Sequence, residues 1–240
     1  MTFSIVARCP DTGQVGICIA TSSPSVGNRC MFAAANVGAV AFQACAEPRL
    51  GRLGLDMLAQ GHSPERVVKE LVETDPGHEW RQIGIVDAQG RVAARTGANN
   101  RNYAGHVIGE QMVALGNLLS GEPVPRAIAE GFARAKGQKF EERLMRAIEA
   151  GRDAGGQVEG QTSSAILTYD RLPFAYVDLR VDHAFEPIAE LRRILDWHKP
   201  LLDYYVERSS NYRIARHKDW LKEKGVAREF GRPPAKAAAG

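Results

Sequence analysis

The chain has 240 residues, 44% hydrophobic and 25% charged, with 31 Lys and Arg against 28 Asp and Glu for a formal net charge of +3. That length is ample for a sizeable buried core, and the near-average composition argues against a disordered or fibrous chain. So small a basic excess argues against nucleic acid as a partner, and no run reaches the ~18 to 20 consecutive apolar residues that cross a bilayer.

The longest apolar stretch, residues 31–46, is interrupted by Asn36 and Gln43. The first residues lack the basic and apolar regions of a secretory signal. A cytoplasmic location with no membrane partner is therefore expected.

In chain order, residues 2–7 alternate polar and apolar, and residues 15–20 form a second strand-like run beyond Pro10-Asp11-Thr12-Gly13, which predicts a β-hairpin. Two further β-prone stretches at 30–34 and 38–45 make a four-stranded meander the simplest arrangement. A helix over 50–60 ends at Gly61, and another starts at Ser63, an N-cap followed by Pro64 and Glu65. Val67, Val68, Leu71 and Val72 give that second helix its apolar face.

Strands are predicted at 82–86, 92–96, 105–109 and 111–115, then helices at 123–136 and 140–151. The glycine-rich stretch 151–160 reads as a mobile loop, followed by strands at 163–169 and 174–181 and a helix at 185–197. Short turns imply antiparallel pairing, and helices arriving in pairs between blocks of strands suit a layered α+β sandwich. From Pro200 onward nine Lys and Arg stand against five Asp and Glu, with Tyr204, Tyr205, Tyr212 and Trp220 interleaved. This predicts a domain over 1–198 and a basic helical extension over 199–240, a packing or dimer-contact arm whose end, from Gly231, has too few apolar groups to fold. A homo-oligomer is the expected assembly.

Cys9, Cys18, Cys30 and Cys45 show no CxxC pair, and strand-like surroundings suit free thiols acting as small core hydrophobes. His62, His78, His183, His198 and His217 show no metal-ligand spacing, so no metal or other cofactor is expected.

The residue that suggests chemistry is Thr2. Methionine removal before a small residue would leave Thr2 at the mature N-terminus, where its α-amine, with a pKa near ~8, can act as base for its own hydroxyl. Thr2 also begins a strand that turns directly into another, and a strand holds a nucleophile rigidly at a sheet edge.

The segments TFSIVAR at 2–8, GAVAFQA at 38–44, RQIGIVD at 81–87, GRVAARTG at 90–97, AGH at 104–106, GNLL at 116–119 and DLRVD at 178–182 resemble the domain of unknown function 1028 family. The resemblance spans roughly residues 1–196. It implies an N-terminal nucleophile (Ntn) hydrolase-like fold, a four-layer αββα sandwich of two antiparallel sheets flanked by helices. It implies no particular substrate, because fold licenses architecture more than chemistry.

In proteasome-like relatives the second strand delivers an aspartate and a lysine follows soon after. Here that strand ends Ala20-Thr21-Ser22-Ser23, and the first lysine is Lys69. A protease is thereby disfavoured, and a small-molecule amide is the expected substrate. Ser22 and Ser23 could orient the Thr2 amine or hydroxyl, although serine equally serves turns. Asn117 is a candidate oxyanion donor and Gln43 a candidate substrate contact, or both satisfy buried backbone groups. Glu47 could meet an amine-bearing substrate or simply start a helix. His106 could act as acid or substrate ligand, or stand as a structural histidine.

Two competitors remain: a non-catalytic ligand-binding or assembly module on the same fold, and a cysteine hydrolase using Cys45 or Cys18 with His106.

Overall fold

The structure is a computed structural model that describes residues 1–101 and 103–226. Among the described residues, ten strands form two antiparallel sheets. The first contains β1 (Thr2–Arg8), β2 (Val15–Thr21), β7 (Gly105–Gly109), β8 (Met112–Asn117), β9 (Ser163–Tyr169) and β10 (Ala175–Val181), in the order β10-β9-β2-β1-β8-β7. The second contains β3 (Met31–Ala34), β4 (Gly38–Ala44), β5 (Arg81–Asp87) and β6 (Val92–Thr96), in that order.

The four-stranded meander does not form, because β1 and β2 lie in one sheet and β3 and β4 in the other. The cause is edge occupancy: β2 is paired to β1 along one edge and to β9 along the other, which leaves no backbone for β3. Between β2 and β3 the chain turns through Ser25 in the left-handed region (φ 57°) and a single 3-10 turn, which redirects it to the second sheet.

Side-chain alternation then sorts every strand into two faces. On β1, Phe3 and Ile5 point one way while Thr2, Ser4 and Val6 point the other. Val6 joins Ile17, Ile19, Val113 and Leu115 from the first sheet and Ala39, Ala41 and Val86 from the second in one buried cluster between the sheets. On the outer face of the second sheet, Val40, Phe42, Ile83 and Ile85 meet Leu55 and Leu58 of α1 (Pro48–Ala59) and Val67 and Leu71 of α2 (Pro64–Thr74). The first sheet carries α3 (Pro123–Arg134) and α4 (Phe140–Asp153) against β1, β2 and β8.

Capping follows sequence chemistry. Ser63 Oγ accepts from the Arg66 N–H at 3.3 Å with Pro64 in the first turn, so the side chain satisfies a donor the helix leaves unpaired. The stretch at 151–160 begins as the end of α4, and beyond it Ser120 N–H donates to Gly156 O at 3.0 Å while Leu119 bridges to Gln157. Arg192 of α5 (Pro187–His198) donates to Glu142 at 2.6 Å and Glu149 at 2.8 Å, a buried-side cross-link to α4.

The chain divides into compact units at Met1–Ile194 and Leu195–Gly240. Within the second, α6 (Leu202–Ser210) and α7 (His217–Glu223) share a small cluster in which Tyr204 and Trp220 meet edge to face at 5.5 Å. The predicted unstructured end from Gly231 lies outside the described residues.

Gly16 shows how closely the layers approach. A Cβ there would lie 2.6 Å from Leu167 O of β9 and 3.1 Å from Leu144 Cδ1 of α4. Gly16→Ala is expected to destabilise the protein by about 1 to 3 kcal/mol through overpacking, read as a lowered midpoint in urea unfolding.

Candidate functional site

Register brings the polar residues of the strands to one end of the space between the sheets. Directly opposed residues on antiparallel strands share a face, so the pairings Ser163↔Thr21, Thr21↔Thr2 and Thr2↔Asn117 make a polar row across four strands of the first sheet. On the second sheet Gln43↔Gln82 and Gln82↔Thr96 make a matching row across β4, β5 and β6. Ser4, one step deeper than Thr2 on the same face, joins the two.

These rows are hydrogen-bonded to each other. Ser4 Oγ donates to Gln43 Oε1 at 2.7 Å, Gln43 Nε2 donates to Gln82 Oε1 at 2.8 Å, and Asn117 Nδ2 donates to the same oxygen at 3.1 Å. Gln82 Nε2 faces Gly116 O at 2.8 Å, Gly105 O at 3.0 Å and Thr96 Oγ1 at 3.0 Å. Backbone carbonyls only accept, so Gln82 must present its NH2 to them and its oxygen to Gln43 and Asn117. Those two amides must then donate, which leaves Gln43 Oε1 to accept from Ser4. One amide orientation thus sets the proton direction throughout.

Thr96 Oγ1 also lies 2.9 Å from His106 Nδ1. His106 is exposed along one side, yet the protein packed against its ring lowers its pKa below the ordinary histidine value.

Thr2 is only 4% exposed. Its Oγ1 lies 3.2 Å from Thr21 Oγ1, and Thr21 Oγ1 in turn donates to the carbonyl of Met1. Thr21 has one hydroxyl proton, spent on Met1, so Thr2 is the donor of the pair. Burial lowers the pKa of the terminal amine at Met1, opposed by the nearby ionisable groups Cys30, Cys45 and Glu159.

Of the residues expected from sequence, Thr2, Asn117, Gln43 and His106 meet in these rows. Ser22 and Ser23 contribute backbone instead: Ser22 O accepts from Thr162 Oγ1 at 2.8 Å and Ser23 O from Ser163 Oγ at 2.6 Å. Glu47 caps α1, accepting from the Arg49 N–H at 3.1 Å, and the Arg49 guanidinium holds its carboxyl down at about 2. Its hydrogen bonds do not reach the row.

Sequence reasoning passed over Ser4, Thr21, Gln82, Thr96 and Ser163. A period-2 count would have flagged Ser4 beside Thr2, but cross-strand register is needed for the others. Among the thiols, Cys18 stands opposite Ile5 on the outer face of its sheet, and complete burial pushes its pKa up.

Gln82→Leu would remove the acceptor of two buried amide donors and the side-chain contacts to two backbone carbonyls, and is expected to cost about 3 kcal/mol or more of stability in chemical denaturation. Gln82→Glu should also destabilise, because a carboxylate cannot donate to Gly105 and Gly116. For His106, a folded pKa below the unfolded value means fewer protons bound when folded. Its contribution is full above about pH 6.5 and is lost as pH falls towards the lowered value, so its ring signals in an NMR titration should move at a more acidic pH than those of the unfolded chain.

No curated protein matches the chain. Among solved structures, protein SPO2555 from Silicibacter pomeroyi, described with DUF1028, is similar at 31% identity and a TM-score of 0.78, over 91% of this chain and 92% of that one. Anbu (ancestral beta-subunit) from Yersinia bercovieri aligns over 85% of this chain and 97% of its own, at 10% identity and a TM-score of 0.40, too remote to bear on fold or chemistry. The family of unknown function DUF1028 matches residues 2–191, and the chain belongs to that family.

Proposed function

We propose that this protein is an Ntn-type amidohydrolase of the four-layer αββα kind, cleaving a small non-peptide amide with Thr2 as nucleophile once Met1 is removed. The observation that carries the proposal is the placement of Thr2, whose buried Oγ1 lies 3.2 Å from Thr21 Oγ1, on a strand paired along both edges. Helix pairs over the outer faces of two opposed antiparallel sheets support the layered architecture.

Removal of Met1 replaces the carbonyl that occupies the Thr21 proton with the α-amine of Thr2. That amine takes the Thr2 hydroxyl proton as Oγ1 bonds to the substrate carbonyl carbon. The amide C–N bond then breaks, the proton passing to the leaving amine, and water cleaves the resulting ester. Burial already lowers the pKa of a terminal amine at this end of β1, the direction a general base at neutral pH requires. Asn117 spends one N–H on Gln82 and retains a second for the oxyanion, held from behind by the amide network.

A second reading, a ligand-binding module, is favoured by one feature. The row Ser163, Thr21, Thr2, Asn117 is uncharged, so it holds neither the carboxylate nor the ammonium of proteasome-like sites.

Intact mass comes first: the proposal expects a protein lighter by one methionine. Turnover of a panel of small acyl amides should then fall by roughly a hundredfold or more in Thr2→Ala, with part retained in Thr2→Ser. A retained Met1, or full turnover by a folded Thr2→Ala protein, overturns the enzyme in favour of the binding module.

A further inference from the structure

At the far end of β1 from Thr2, about 20 Å along the strand, a cleft of about 420 Å³ opens between the β7–β8 hairpin and helices α3 and α4. Arg8 and Arg143 both line it. Arg143 is unusual for a buried cation. It is 7% exposed, its Nε is buried without a hydrogen-bond partner, and it forms no ion pair among the described residues.

What holds Arg143 is an aromatic face: its guanidinium carbon lies 3.9 Å from the Phe132 ring centroid. Buried charge without a counter-charge is costly, and a guanidinium is rarely left so unless something else pairs with it. Arg8 is fixed in a complementary way. Its Nη1 donates to Gln111 Oε1 at 2.6 Å, its Nε is also buried without a partner, and Gln111 sits in the left-handed region (φ 55°) at the hairpin turn.

Val107, Met112 and Phe132 supply an apolar part of the lining. At the rim stand three exposed carboxylates, Asp11, Glu110 and Glu130, with Arg126 and Lys136. An apolar wall suits a hydrocarbon body, and a buried guanidinium whose Nε has no partner suits a carboxylate.

We propose that this cleft is a binding site for an organic monocarboxylate with an apolar body, its carboxylate on Arg143 and Arg8 and its hydrocarbon against Phe132 and Met112. The site is independent of the Thr2 chemistry.

Octanoate, octanol and inorganic phosphate titrated separately into the full chain by calorimetry test it. Saturable octanoate binding is expected, with octanol about tenfold weaker or worse and no displacement of octanoate by phosphate. Methyl NMR should show the Met112 signal shifting with octanoate occupancy. Arg143→Met, which keeps an apolar stem over Phe132, should weaken octanoate about tenfold or more. Octanol binding as well as octanoate, phosphate displacing octanoate, an unmoved Met112 signal, or no octanoate binding would each overturn the proposal. Should Arg143→Met fail to fold, the comparison of octanoate with octanol on the unaltered chain decides by itself.

Discussion

The arrangement of the Thr2 end of this protein depends on where one side-chain amide points. Gln82 leaves the second sheet, crosses to the first, and gives its NH2 to the carbonyls of Gly105 and Gly116. Those carbonyls belong to neighbouring strands whose backbone pattern is fixed by their own ladder, so the orientation is imposed by sheet geometry rather than chosen by side chains. From it follow the donor roles of Gln43 and Asn117 and the acceptor role of Gln43 Oε1 towards Ser4. Such a connected network stiffens in a low-dielectric interior, and it holds the sheets in register where hydrophobic packing gives out.

The space between the sheets is thereby divided. Towards Val6, Ile17, Val86 and Val113 it is filled by aliphatic groups that specify distance but tolerate sliding. Towards Thr2 it is filled by directional contacts that do not. Rigidity at a reacting group is supplied by the second kind, and the first gives the bulk of the burial that keeps the layers together.

Element order was readable from residue patterning because alternation and capping are local. Strand 163–169 was read to the residue, and Ser63 with Pro64 marked the start of α2, since each signal lies within a few positions of the feature it controls. The distribution of β1 to β4 between two sheets was not readable, because it turns on β9, whose pairing with β2 spans more than a hundred residues of chain. The same limit applies to the site. Thr2 was conspicuous from its position and Asn117 and Gln43 as amides in apolar surroundings. Gln82 and Thr21 became visible only when register set them opposite those residues.

β1 links the two ends of this unit in a way that bears on how its sequence can vary. It is hydrogen-bonded along both edges from Thr2 to Arg8, and side chains two apart share a face. A one-residue slip of such a strand turns every inward group outward. An insertion or deletion within these seven residues therefore cannot keep both Thr2 opposite Asn117 and Arg8 against Gln111. The two ends share no hydrogen bond, but they share a ruler: length in this strand is not free to drift.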